Sequence, residues 1–379
     1  MNKLPNGWAE YKLKDIMNIS SKRYNPNKDT KNYKCIELEH IESETGILNG
    51  HTNSKDIHSV KNVFEKGEVL YGKLRPYLKK FYLAKFDGVC SSEIWVLKGK
   101  KVINDFLYYF IQQDNFNYIA NVSIGMIMPR ADWSYMSEIS FNIPPLDEQK
   151  RIASALSKID AYLENTIKLI EEKERFKRGI AKKLLTCKEG ENIPEARFKG
   201  FEDEWETKTL SSISNIKKGE QKNKLDLIAD GKYPVLNGGM NFSGYCNSYN
   251  REANTITISE GGNAGYVNFI KEKFWSSGHC YTLHDLKIDK YFLYQCLKNS
   301  EKRLMKLQLG TALKNIRQSE IVEFELNIPK SIKEQEKIGE YLSLLDAEID
   351  NLKKQKELIK EMKRGAMQKL LSGEVKLLE

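Results

Sequence analysis

EQKRIASALSKIDAYLENTIKLIEEKERFKRGIAKKLLT, from Glu148 to Thr186, returns as EQEKIGEYLSLLDAEIDNLKKQKELIKEMKRGAMQKLLS, from Glu334 to Ser372. A constant offset of 186 aligns Ile152 with Ile338, Leu156 with Leu342, Asp160 with Asp346, Asn165 with Asn351, Arg178 with Arg364, Gly179 with Gly365 and Leu184 with Leu370, without a gap. A repeat of this length is architectural and is read before any single residue. Each copy follows a block of similar size, so the chain reads globule, helix, globule, helix.

Both copies carry apolar residues at seven-residue steps. The second has Ile338, Leu345, Leu352, Ile359 and Ala366 in one row, with Leu342, Ile349 and Leu370 in the other; Lys356 and Lys363 interrupt it. The first has Ile152, Ile159 and Ile180 beside Leu156, Leu163, Ile170 and Leu184, broken by Thr166, Lys173 and Lys177. Two such rows form the seam of a two-stranded coiled coil. At 1.5 Å per residue each helix should span about 60 Å. Antiparallel pairing is expected, because the chain must return through the second globule and a pseudo-twofold repeat makes one seam self-complementary. The expected result is a rod with the globules near opposite ends. Pro144-Pro145 and Pro329 end the globules, and Ser331 with Glu334 reads as a capping box.

The globules repeat more faintly. Trp8 and Trp205 each precede a leucine by five residues, and Ser91-Ser92, Gly125 and Ile143-Pro144 recur 185 residues later as Ser276-Ser277, Gly310 and Ile328-Pro329. GEVLYG (67–72), SEIWVLKG (92–99), ANTITISE (253–260) and GYVNFI (265–270) read as strands, FLYYFIQQ (106–113) and YFLYQCLK (291–298) as short apolar helices. The fold class is α+β: two α+β domains and two long helices forming an antiparallel coiled coil. The expected boundaries are 1–146, 147–187, 188–331 and 332–379.

With 40% hydrophobic and 30% charged residues over 379 positions the chain suits a folded, soluble protein. No apolar run approaches 18 residues and the N-terminus lacks a signal-peptide core, so a cytoplasmic protein without membrane insertion is expected. Six cysteines without a CxxC pair and five histidines without an HExxH motif predict reduced thiols and no metal site. A net charge of +9 favours a polyanionic partner.

In the first globule YGKLRPYLKK (Tyr71 to Lys80) gathers Lys73, Arg75, Lys79 and Lys80 with two tyrosines in a turn after a strand. Lysines there suit phosphates, arginine suits a guanine edge and tyrosine suits stacking or sugar contact. The corresponding place in the second globule is SEGGNAGY (Ser259 to Tyr266), whose glycines let backbone amides approach a ligand. Equivalent loops with different chemistry suit two sites reading different ligands.

The chain resembles the specificity subunit of type I restriction-modification systems over essentially its whole length. The residues that carry the resemblance are IPPLDEQKRIA (Ile143 to Ala153), IPKSIKEQEKI (Ile328 to Ile338), the KLRPYL loop, YPVLNGG (Tyr233 to Gly239), SEGGNAG and GTALKNI (Gly310 to Ile316). The resemblance implies a non-catalytic protein with two target-recognition domains, each reading half of a split, asymmetric double-stranded DNA site. It also implies paired helices that space the half-sites and dock two adenine-methylating modification subunits. S-adenosylmethionine, ATP and Mg would be bound by partner subunits, restriction subunits would add ATP-driven translocation and cleavage, and this chain would carry no cofactor. By position, Lys73, Arg75, Tyr77 and Lys79 become DNA-contact candidates in the first domain, followed by Ser91 and Ser92. Ser259, Gly262, Asn263, Tyr266, Lys314 and Asn315 are the candidates in the second. Where the second domain has GTALKNI the first has GMIMPRAD (Gly125 to Asp132), which offers Arg130 in place of the lysine–asparagine pair.

Catalysis is not expected. Asn142-Ile143-Pro144-Pro145 is only superficially like an adenine methyltransferase motif, with no glycine-rich cofactor loop upstream, and there is no GxxxxGK[ST] phosphate loop. Two alternatives remain at this level: the targeting subunit of a combined cleavage-methylation system, or a coiled-coil adaptor that binds proteins and no DNA.

Overall fold

Each long helix begins at a two-stranded ribbon that closes a globule. In this computed structural model, which describes residues 7–124, 128–310 and 314–377, Ala9–Lys12 pairs antiparallel with Ser140–Ile143, and Glu206–Thr209 with Glu325–Ile328. Gly125 of GMIMPRAD and Thr311 to Leu313 of GTALKNI lie outside the described residues.

The chain forms two compact units, Met1–Thr166 with Gln355–Glu379, and Ile167–Lys354. The first contains a four-stranded antiparallel sheet in the order Met17–Ile19, Ile94–Gly99, Val69–Gly72, Phe81–Leu83. The second contains the same sheet as Asn215–Lys218, Cys280–His284, Thr255–Ser259, Val267–Ile270. The VLYG and TITIS strands are buried along their whole length, as their near-continuous apolar or β-branched sequence predicts. The units diverge in their other main sheet. The first has five short strands, Arg23–Tyr24, Lys61–Phe64, Gly88–Cys90, Lys34–Ile36 and Thr52–Asn53, and the second has three, Gly244–Cys246, Tyr233–Leu236 and Trp275–Ser276. Both keep one parallel pair in it.

The long helices are Leu146–Leu185 and Ile332–Leu371, 40 residues each. Within each unit, one end of each pairs head to tail with the other. In the first unit Lys363 meets Asp160 at 2.7 Å and Gln355 donates to the Tyr162 hydroxyl. In the second, Lys177 meets Asp346 at 2.5 Å, Lys173 meets Glu348 at 2.6 Å and Lys353 meets Glu174 at 2.6 Å. Among the seam residues Ile152, Leu156, Leu163, Ile170, Ile338, Leu342, Leu345, Ile349 and Ile359 are buried, while Ile159 and Leu352 are half-buried.

The outer seam positions do more than pair helices. Ile152 and Leu156 join the first globule's core together with Met367, Leu370 and Leu371 of the other helix; Ile338, Leu342 and Leu345 join the second core with Ala181, Leu184 and Leu185. Each globule is therefore completed by both helices, which is why the compact units cut across both.

The repeated Glu-Gln dipeptide is the joint. Gln149 accepts from Ile103 N–H (3.0 Å) and donates to the Pro144 carbonyl (2.9 Å); Gln335 accepts from Asp289 N–H (2.9 Å) and donates to the Pro329 carbonyl (2.8 Å). Glu148 accepts from the Trp8 indole at 3.2 Å, and Glu334 from the Trp205 indole at 3.3 Å. Glu334 therefore does not close a capping box with Ser331. Its 1%-exposed carboxylate faces a bidentate Arg197 at 2.7 and 2.8 Å, since a buried charge demands a charged partner and an exposed cap cannot supply one. Among the described residues no helix is long and apolar enough to cross a membrane.

Candidate nucleic-acid interface

The two loops singled out from the sequence occupy the same place in the two sheets. In the first unit Gly72 N–H donates to the Lys80 carbonyl, Lys73 N–H to the Glu93 carbonyl, and Ala131 N–H to the Lys73 carbonyl. In the second, Ser259 N–H donates to the Tyr266 carbonyl, Glu260 N–H to the His279 carbonyl, and Ile316 N–H to the Glu260 carbonyl. Three positions thus correspond: Lys73 with Glu260, Glu93 with His279, and Arg130 with Asn315. Backbone bonding is the same in the two units while the side chains differ in chemistry: lysine gives way to glutamate, glutamate to histidine and arginine to asparagine. Ser91 and Ser277 match as well, each donating its N–H across the parallel pair, to Ile36 and Leu236.

In the first unit the loop turns tightly. Arg75 and Lys79 have φ of +51° and +48° and bracket a 3₁₀ turn over Pro76–Leu78. Left-handed backbone at non-glycine residues is costly and persists where surrounding bonds hold it. Here Arg75 N–H donates to the Pro129 carbonyl at 2.7 Å, and Leu78 and Lys79 N–H close back onto the Arg75 and Pro76 carbonyls. Arg75 is exposed and Tyr77 is 54% exposed. Lys79 stands 3.6 Å from Glu44 and 3.9 Å from Asp114. Arg130, offered by the sequence as a reader, is instead clamped by both oxygens of Glu93 at 3.0 Å each, with Lys73 at 4.0 Å from the same carboxylate. It braces the loop base, leaving Arg75 as the outward guanidinium. Ser92 is exposed and Ser91 half-buried behind it.

The Arg130 guanidinium hydrogen-bonded to Glu93 holds that carboxyl below the usual carboxylate range. A carboxylate whose folded value is depressed stabilises above its unfolded value and loses that contribution as pH falls through the folded one. The amide resonances of Arg75 and Ala131 should therefore hold steady from neutral pH through the ordinary Glu range and shift together in stronger acid. Glu93→Gln should remove that acid step.

In the second unit glycine-rich segments converge. Gly238 has φ of +74°, and a Cβ there would meet the Gly261 carbonyl at 2.7 Å; a Cβ on Gly261 would meet Asn315 Oδ1 at 2.5 Å. YPVLNGG, SEGGNAG and GTALKNI, distant in sequence, are thus in contact. Gly262, Asn263, Lys314 and Asn315 are exposed on this cluster. Two candidates are already engaged: Ser259 is 1% exposed with its hydroxyl donating to the Gly239 carbonyl within the cluster (3.2 Å), and the Tyr266 ring lies under Lys298 Nζ at 3.8 Å.

Sequence reading missed the centre of this site. Glu260 receives Lys218 at 2.6 Å and the Tyr281 hydroxyl at 3.0 Å, and lies 3.4 Å from Nδ1 of His279, whose side chain is 53% exposed. Burial, with Glu260 alongside, pushes the Tyr281 phenol up, so it stays a donor. Lys218 comes from the edge strand Asn215–Lys218, two strands over, and His279 from a turn, so no local pattern announces the group. Beside it Lys222 Nζ sits 3.6 Å over the Trp275 ring.

Comparison with known proteins bears on these surfaces. A family model described as the type I restriction modification DNA specificity domain matches residues 5–172 and 202–361. The MjaVIII specificity subunit of a type I restriction enzyme of Methanocaldococcus jannaschii is 26% identical over 354 residues, 86% of this chain and 80% of that protein. The EcoDI specificity subunit of Escherichia coli is 30% identical over 170 residues, 44% of this chain and 38% of that one. Local matches such as the latter span between 38 and 45% of three curated relatives' own length. The crystal structure of a type I restriction-modification S subunit from M. genitalium shares the fold, with a TM-score of 0.64 at 20% identity, covering 97% of each chain.

Proposed function

We infer the function from kinship and geometry together: the chain belongs to the type I restriction-modification DNA specificity family, and its two units are readers of the two halves of a split DNA site. The observation that carries this is one backbone scaffold with exchanged side chains. One backbone scaffold presents Lys73, Glu93 and Arg130 in the first unit and Glu260, His279 and Asn315 in the second. Bases are distinguished by the pattern of donors and acceptors offered to them, so a shared scaffold with different side chains suits two different half-sites. In the first reader Arg75 addresses a base edge while Lys73, Tyr77 and Lys79 address the backbone. In the second, Gly262, Asn263, Lys314 and Asn315 form the approach surface. Ser91 and Ser92 are weaker contacts beside the first loop, and Arg130 braces that loop through Glu93.

The long helices then space the readers and dock adenine-methylating partner subunits, two in number, to which restriction subunits add. S-adenosylmethionine, ATP and Mg belong to those partners. This chain contributes recognition and no chemistry, and works in the cytoplasm. Methylation mapping of the source genome tests the reading. The expected result is a bipartite motif with an unspecified gap and adenine methylation in both halves, lost when this gene is deleted. A methylome unchanged by the deletion would overturn it. In parallel, the complex with its modification subunits should bind DNA with a steep salt dependence whose slope falls by about one on Lys79→Ala, as for loss of one phosphate contact.

A further inference from the structure

The lysines that interrupt the heptad seams have partners, and the arrangement is built twice. In the first unit Asp160 accepts the Tyr109 hydroxyl on Oδ2 at 2.8 Å, while its Oδ1 lies 2.7 Å from Nζ of Lys363, which comes from the other long helix. In the second unit Asp346 accepts Gln295 Nε2 on Oδ2 at 2.7 Å, while its Oδ1 takes Nζ of Lys177 at 2.5 Å. All three members repeat at the helix offset of 186: Tyr109 with Gln295, Asp160 with Asp346, Lys177 with Lys363. Each node thus joins a short helix of the globule (Asn104–Phe110 or Lys290–Asn299) to both long helices.

Stability does not explain these nodes. The lysine side chains are only 8% (Lys363) and 14% (Lys177) exposed, so each pairing at best offsets the lysine's loss of water; apolar residues of similar size would hold a seam as well. Polar groups in a coiled-coil seam are best attested as register devices. A slip of one heptad, about 10 Å along the axis, would leave each lysine buried without its carboxylate and each carboxylate without its globule donor.

We propose that Asp160–Lys363–Tyr109 and Asp346–Lys177–Gln295 are positioning nodes, which seat each reader at one register on the helix pair and so restrict the gap between half-sites that the protein accepts. This rests on the split-site reading above. The test uses the full chain with its modification subunits and a DNA library in which both half-sites are kept and the gap is varied. The parent should prefer one gap by at least about tenfold over its neighbours, the scale of a single recognition error. The fourfold apolar variant Asp160→Leu, Lys363→Met, Asp346→Leu, Lys177→Met should fold as stably as the parent and bind neighbouring gaps within about threefold of the preferred one. The bases read should not change. Tyr109→Phe and Gln112→Leu with Gln295→Met cut only the globule arms, since Gln112 Oε1 also accepts from Lys363 Nζ at 3.0 Å, and carry the test alone if the fourfold variant does not fold. Retention of the parent's single gap by the folded variants overturns the node proposal and leaves the split-site reading intact. A parent that selects no split site overturns the reading itself.

Discussion

Glu334→Leu should destabilise the second unit by about 3–5 kcal/mol, because it leaves a largely buried guanidinium without its carboxylate. Arg197 is 12% exposed on its side chain and gives Glu334 two charge-assisted bonds, at 2.7 and 2.8 Å; the Trp205 indole adds a third at 3.3 Å. Removing the carboxylate leaves the Trp205 indole and the Nε edge of Arg197 facing leucine, with only the Asp203 carbonyl, at 2.7 Å, still accepting from the guanidinium. Pairing the change with Arg197→Met should restore most of the loss, since the cost arises from the orphaned charge more than from the missing attraction. Urea unfolding of the single and double variants measures both. A double variant as unstable as the single would show that Glu334 acts through something other than Arg197.

Arg75→Ala should lower affinity for the cognate DNA by about 1–3 kcal/mol, roughly 5- to 150-fold, and relax the preference at one base pair. The fold should be unaffected, because the Arg75 side chain is exposed, while its backbone N–H keeps its 2.7 Å bond to Pro129. The left-handed conformation at φ +51° offers a control. Arg75→Gly relieves backbone strain that Arg75→Ala retains, so equal losses of affinity from the two would assign the effect to the guanidinium. Binding competition against DNA altered in either half-site reads the outcome. Uniform weakening at every base would demote Arg75 to a phosphate contact.

The joint around Glu334 also shows why a motif can be visible before its purpose is. EQ at 148–149 and 334–335 marks both helix starts in the sequence, yet a capping box was the local interpretation of Glu334. Its partner Arg197 is 137 residues away, and Ile103 and Asp289, which Gln149 and Gln335 satisfy, are each 46 away. Likewise Lys177 and Lys363 interrupt the seam in sequence, and in the fold Asp346 and Asp160 stand opposite them. The loops follow the same rule. KLRPYL was recognisable from its composition, but the bracing of Arg130 by Glu93 depends on strands brought together from three parts of the chain.

Periodicity is a short-range property, so the chain alone was enough to announce two long helices with apolar seams, the 186-residue repeat, the main strands and the exposed basic turn. A heptad or a strand alternation is complete within a dozen residues and needs no partner to be seen. Which side chain meets which across that repeat came only from folding: Glu260 with Lys218 and His279, Glu93 with Arg130, each seam lysine with its carboxylate. Those meetings are set by sheet register and by the stagger of two helices. Both depend on contacts between parts of the chain far apart in sequence, and no single stretch encodes them.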